Sequence, residues 1–367
     1  MLRRVVFVLA IVLAGCAPPR ATMQFVPQGA KPGTVESIFV GTTRELDPTV
    51  ESMLGFGRSP VMRYGKVDVS VPPDRPLGSI PLPRPHRPID PATQFLTVDR
   101  TLYNDAAGFR SALGREIARK KGDTVIFVHG FNNNAVESTY RMAQFGHDLK
   151  IPGALVHYAW PSRASALGYV YDRDSAIFAS RGLEQLLKNV ESAGPEKVVL
   201  VAHSMGSLIT MEAMSRLALQ GNRKVLDRIA GVILMSPDID VDVFKGQAAT
   251  IGKLPDPFII FTSKKDKALA LSARITGQTN RVGNLPDPTP LAGLKVTLVD
   301  TTAFSVGGGH FNVASSPALL AILGNISGVD DALASDGRGR TGVITGAMLT
   351  VQNTTQIIMS PVLPRNQ

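Results

Sequence analysis

From residue 124 onward, short unbroken apolar runs alternate with longer stretches whose apolar residues return every third or fourth position. The runs are residues 124–128 (Thr-Val-Ile-Phe-Val), 154–158, 197–201, 231–235, 258–261 and 295–299. Unbroken hydrophobicity, rather than strict alternation, is expected of strands covered on both faces. Between two of them Leu183, Leu186, Leu187 and Val190 form a helical stripe. This rhythm predicts one α/β domain: a mostly parallel, doubly wound sheet with helices on both faces. Earlier in the chain, residues 37–41 read as a first strand. Residues 66–71 alternate, stop at Pro72-Pro73, and read as a second. Phe109, Leu113 and Ile117 mark a helix. Residues 72–91 carry Pro81, Pro83, Pro85 and Pro88, which no helix or inner strand tolerates, and are expected to be an extended surface segment. The last forty or so residues are rich in Gly, Ser and Thr and give no assignment. No internal repeat is present.

The N-terminus has a different pattern. Arg3 and Arg4 precede the apolar run 5–14, which is too short to span a bilayer and has the length of a signal-peptide core. It ends in Leu13-Ala14-Gly15-Cys16, which resembles a bacterial lipobox, where the cysteine is acylated and the chain is cut before it. Cys16 is the only cysteine in the 367 residues, which fits an anchor and not a disulfide framework. Ala17 follows, where an inner-membrane retention signal would place Asp. The expected location is therefore the bacterial envelope, at the outer membrane facing the periplasm. The expected organisation is a signal peptide over 1–15, a lipid anchor and tether over 16–35, an α/β domain over 36–325 and a tail over 326–367. The net charge of +9 comes from scattered residues with no aromatic-interleaved basic stripe, so nucleic acid is not an expected partner.

The candidate chemistry sits where the run 197–201 breaks into Ala202-His203-Ser204-Met205-Gly206 and then a helical pattern. A serine on a sharp strand-to-helix turn needs small residues two positions to either side, here Ala202 and Gly206. Ser204 is the candidate nucleophile. A serine needs a base, and His310 follows the last predicted strand in Val306-Gly307-Gly308-Gly309-His310. Two acids could orient it. Asp266 follows the run 258–261 and is preferred from chain order, and Asp238 after the run 231–235 is the alternative. The oxyanion needs two N–H donors. Met205 N–H, at the helix start, is one. Phe131 N–H is the other, in a loop opened by His129 and Gly130. His86, His147 and His157 are isolated and read as structural. No His/Asp/Glu cluster has metal spacing and no phosphate loop or dinucleotide fingerprint is seen, so neither metal nor cofactor is expected.

With these residues the chain resembles a family of bacterial α/β-hydrolase-fold proteins described as esterase/lipase-like. The resemblance covers roughly residues 35–325. It rests on Phe39-Val40-Gly41-Thr42-Thr43-Arg44, Val128-His129-Gly130-Phe131-Asn132, Trp160-Pro161-Ser162 and Tyr169-Val170-Tyr171-Asp172. It continues through Ala202-His203-Ser204-Met205-Gly206, Ser236-Pro237-Asp238-Ile239-Asp240, Ser263-Lys264-Lys265-Asp266-Lys267-Ala268-Leu269 and Gly309-His310. The resemblance implies a Ser204–Asp266–His310 triad and ester hydrolysis, without naming a substrate. Trp160, with Tyr171 nearby, is either a pocket wall or a packing anchor. The resulting expectation is a serine hydrolase, a carboxylesterase acting on small-molecule or lipid esters through an acyl-enzyme. Two alternatives stay open: an acyltransferase or thioesterase using the same triad, and a non-catalytic envelope lipoprotein that binds a protein or lipid.

Overall fold

A computed structural model of the protein describes residues 20–83, 87–277, 280–304, 316, 320, 347–353 and 356–361. Among them eleven strands form one sheet: β1 (Thr34–Leu46), β2 (Leu54–Val71), β3 (Leu96–Tyr103), β4 (Thr124–Val128), β5 (Leu155–Ala159), β6 (Val198–His203), β7 (Ile229–Met235), β8 (Phe258–Thr262), β9 (Thr297–Asp300), β10 (Ala347–Asn353) and β11 (Gln356–Pro361). Their spatial order is β11-β10-β9-β8-β7-β6-β4-β5-β1-β2-β3. The central pairs from β1–β5 through β9–β10 are parallel, and antiparallel pairs β1–β2–β3 and β10–β11 close the two edges. The chain leaves β4 for β5 on one side and returns to β6 on the other. This reversal opens a crevice at the carboxyl ends of β4 and β6, where ligands bind in open α/β sheets.

Seven helices are described: α1 (Ala106–Arg119), α2 (Ala135–Asp148), α3 (Tyr169–Ser192), α4 (Met205–Leu219), α5 (Arg223–Leu226), α6 (Val241–Ile251) and α7 (Lys267–Ile275). The buried strands explain why they lie on both faces. Along β4, Ile126 and Val128 join the layer of Phe109, Leu183, Leu186, Ile209 and Phe244. Val125 and Phe127 point the other way, to Val136, Tyr140, Met142 and Phe145 of α2. Each central strand thus buries both of its sides, as its unbroken apolar run requires. Among the described residues no helix is long and apolar enough to cross a membrane.

The expected strands are present, with three differences. The strand expected at 66–71 begins at Leu54, and β3 was not expected. The early part of β2 contains Gly55, Gly57 and Pro60, and its register against β1 shifts between Thr42 and Arg44. Proline and glycine are tolerated there because β2 lies near the sheet edge and is bulged. Residues 347–353 and 356–361 of the tail add a hairpin beside β9. The third difference is at the other end. The tether expected over 16–35 is docked from Arg20 onward: Ala21 and Met23 are buried, Val26 N–H donates to Thr97 O (2.9 Å), and Thr97 N–H to Gln24 O (2.8 Å). Small and proline-bearing residues resemble a linker in composition, but here their backbone extends the β3 edge.

Candidate active site

Ser204 sits between the end of β6 and the start of α4, at φ 52° and ψ −123°. A non-glycine residue there holds about 1–3 kcal/mol of strain and persists only when its surroundings fix it. They do so here: Ser204 N–H donates to Met235 O (2.9 Å), and Ser204 O accepts from Asp238 N–H (3.2 Å) and Ser207 N–H (3.0 Å). Ala202 is fully enclosed. A Cβ on Gly206 would collide with the carbonyl oxygens of Val128 and His129, so only glycine lets α4 start this close to β4. The first N–H groups of a helix lack intrahelical acceptors, and Met205, the first residue of α4, offers such a group beside Ser204.

The loop after β4 lies directly against the nucleophile. A Cβ on Gly130 would stand 3.0 Å from Ser204 Cβ and would run into the His203 imidazole. His203 therefore packs beneath this loop. Gly130 O lies 2.8 Å from His129 Nδ1 and accepts from Asn133 Nδ2 (3.3 Å), which also donates to Phe131 O (2.9 Å). The C=O and N–H of a trans peptide point in opposite directions. Fixing Gly130 O on the Asn133 side turns Phe131 N–H away from the interior of the loop.

A buried set of polar groups holds that turn. The Arg44 guanidinium, fully enclosed at the bulge of β1, donates to Asn133 O (3.1 Å), Ser162 O (3.0 Å) and Gly55 O (3.0 Å). Asp172 accepts from Ser162 Oγ (2.6 Å) and Arg163 N–H (2.7 Å), and from the Asn132 N–H. Ser162 Oγ in turn accepts from Asn133 N–H (3.4 Å). Burial pulls Arg44 down to about 10, still charged at neutral pH, and pushes the Asp172 carboxyl up, opposed by these donors. Asn132 occupies φ 61° within this clamp. On its outer side Arg20 donates to Asn132 O (3.0 Å), bonds the Asn132 side chain and pairs with Glu137 (3.1 Å).

Trp160 is 0% exposed. Its indole N–H donates to His129 O (2.7 Å), and its ring stacks on His129 at 5.0 Å and 11°. It anchors the loop from behind, the second of the two readings its sequence position allows. His129 also lies 3.1 Å from Trp160 O through Nε2. Burial, then the neighbouring His157 and Arg44, hold its imidazole well below its ordinary range, so it is neutral and donates to only one of its two carbonyls. Tyr171 carries the guanidinium groups of Arg58 and Arg163 at 4.2 and 4.8 Å from its ring centre.

The two candidate acids have different surroundings. Asp238, buried, accepts from Ser272 Oγ (2.5 Å) and Tyr169 Oη (3.0 Å) and pairs with the enclosed Arg281 (3.2 Å). Asp266 is 1% exposed despite its lysine neighbours, and its Oδ1 caps α7 through Leu269 N–H (3.0 Å). His310, Cys16 and His86 lie outside the described residues. Of the remaining histidines, His157 is enclosed between Phe127 O and Ser138 Oγ, and His147 lies 3.9 Å from Glu36. Among the described residues no group of three or more His, Cys, Asp or Glu could hold a metal ion. Sequence reasoning missed the roles of Arg44, Ser162 and Asn133, although Arg44 and Ser162 lie in motifs it singled out.

A strained serine on a strand-to-helix turn, at the switch point of a mostly parallel sheet, defines the α/β-hydrolase fold. The chain belongs to the family described as alpha/beta hydrolase of unknown function (DUF900), whose profile matches residues 105–325 and so leaves β1–β3 outside. No curated protein matches the chain. Among solved structures it is similar to the Pyrococcus furiosus esterase Pf2001, at 12% identity over 85% of this chain and 99% of that one, with a TM-score of 0.37. It is also similar to the Bacillus subtilis naproxen esterase (carboxylesterase NP), at 11% identity over 81% and 92%, TM-score 0.31. A Trichoderma reesei cutinase in complex with a C11Y4 phosphonate inhibitor is matched at 17% identity over 36% of this chain and 66% of the cutinase, TM-score 0.23.

Proposed function

We propose that the protein is a serine carboxylesterase held to the bacterial envelope by a lipid on Cys16, at the outer membrane facing the periplasm. The observation that carries the catalytic part is the backbone of Ser204, with the Gly130 loop packed against it. Ser204 Oγ attacks the ester carbonyl, and His310 takes its proton and returns it to the leaving alcohol. The N–H groups of Phe131 and Met205 hold the oxyanion, and water resolves the acyl-enzyme. Asp266 orients His310. Its burial at the end of β8 supports that role, whereas the Asp238 carboxylate is committed to Arg281, Ser272 and Tyr169.

Product analysis with matched acyl esters, amides and thioesters, in the presence of added alcohols, tests the assignment. The expected result is a burst of alcohol release from esters, followed by slower release of free acid. Dominant acyl transfer to the added alcohol would replace hydrolysis with transferase chemistry. No turnover of any of these substrates by folded protein would move the reading to a binding scaffold.

A further inference from the structure

The N-terminal arm ends on the oxyanion loop. Arg20 bonds the Asn132 carbonyl and side chain and pairs with Glu137. Ala21 N–H donates to Glu137 Oε1 (3.2 Å), and Ala21 O accepts from Asn134 Nδ2 (2.8 Å). Asn134 and Glu137 are the capping box of α2, and Asn132 is the residue after Phe131. Only four residue steps separate Cys16 from Arg20. At 3.3–3.6 Å per residue, even a fully extended chain spans about 14 Å. A free tether over 16–35 would instead allow roughly 25 Å of root-mean-square reach and any orientation.

The rim beside the same loop is apolar. Tyr169 packs against Phe131 with ring centres 5.5 Å apart. Flanking Tyr169, Leu167 is 98% exposed and Val170 67%. Arg163, also exposed, supplies a cation for a lipid head group.

We infer that acylated Cys16 holds the mouth of the Ser204 site against the bilayer, and that the substrate is an acyl ester resident in that bilayer. This rests on the esterase and lipid-anchor readings above. The bilayer meets the crevice at the loop that Arg20 holds through Asn132 and that Phe131 joins to Tyr169, and a lipid ester reaches Ser204 without crossing the solvent gap that a long tether would leave.

The test uses the full-length acylated protein in vesicles of phosphatidylethanolamine and phosphatidylglycerol. A second protein carries a flexible 20-residue Gly/Ser insertion between Pro19 and Arg20. Both are assayed on a vesicle-borne 4-methylumbelliferyl oleate and on a water-soluble butyrate ester. Lengthening the tether from four residues to twenty-four dilutes the site at the membrane by about 15-fold if effective concentration falls as the −3/2 power of length. The expected result is a loss of that order, about tenfold, on the vesicle ester with the butyrate rate unchanged. An equal vesicle rate in both proteins overturns the inference, as does turnover of butyrate alone. Failure of the wild-type protein on both esters removes the esterase reading and this inference with it. An intact mass lacking acyl chains on Cys16 removes the anchor and the inference, but leaves the esterase reading standing.

Discussion

Replacing Gly206 by alanine tests how tightly the elbow is built into the sheet. The new Cβ meets the carbonyl oxygens of Val128 and His129, which are backbone atoms at the end of a central strand and cannot swing aside as a side chain could. To reach an ordinary C···O separation of about 3.3 Å or more, α4 and the end of β4 must part by roughly an ångström. Overpacking of this kind costs about 1–3 kcal/mol of stability. It also carries Ser204 and Met205 N–H away from the loop that bears Phe131. A displacement of about 1 Å at a reacting geometry costs on the order of 100-fold in rate, or about 2.7 kcal/mol of barrier. The assay is urea unfolding of Gly206→Ala beside wild type, with the second-order rate of inactivation by a soluble phosphonate measured where both are folded. A lower urea midpoint and inactivation slowed by about two orders of magnitude are expected. Unchanged stability with inactivation within threefold of wild type would refute the reasoning, because β4 and the elbow could then not be in contact.

Trp160→Phe removes the donor to His129 O and leaves a buried carbonyl unpaired, at about 1–3 kcal/mol. Stability should drop while the ratio of activities on short and long acyl esters stays fixed, and a shifted ratio at wild-type stability would restore the pocket-wall role. Asp266→Asn is expected to reduce kcat by about 10³–10⁴-fold. Asp238→Asn, which strips an enclosed arginine of its carboxylate, should instead cost about 3–5 kcal/mol of stability. Reversal of those two phenotypes in paired kinetics and unfolding would exchange the two acids. Burial holds His157 down at about 3, so the unfolded chain takes up its proton first as pH falls below about 6.5. Stability is complete above that pH and declines between about 6.5 and 3, reaching roughly 2 kcal/mol of loss at pH 5. The difference between urea midpoints at pH 7.5 and 5 should narrow by about that amount in His157→Gln, the buried His129 keeping its own share of the acid loss, and an undiminished difference would assign the acid sensitivity elsewhere.

The central strands were legible because burial on both faces leaves β4, β5 and β8 no solvent-facing position to impose an alternating pattern. The elbow was legible because its backbone demands small residues at fixed offsets from Ser204. The start of β2 and all of β3 were not, since edge strands carry glycine, proline and charge without penalty. Arg44 in a strand reads as a solvated residue, and only carbonyls brought in from Gly55, Asn133 and Ser162 reveal its function. The docked arm was illegible for the same reason: Arg20 and Ala21 find their partners more than a hundred residues away. Asp266 was preferred from chain order alone; its burial beside Lys264, Lys265 and Lys267 and its cap on Leu269 N–H are facts of the folded chain that local composition does not record.

The most direct test of the central claim is the mass of the protein after reaction with a fluorescent fluorophosphonate, with the adduct mapped by peptide and Ser204→Ala run in parallel. An activated nucleophile at the elbow predicts one adduct, on Ser204, that is absent from the variant. A folded wild type that takes no label, or an adduct that persists in Ser204→Ala, would contradict it.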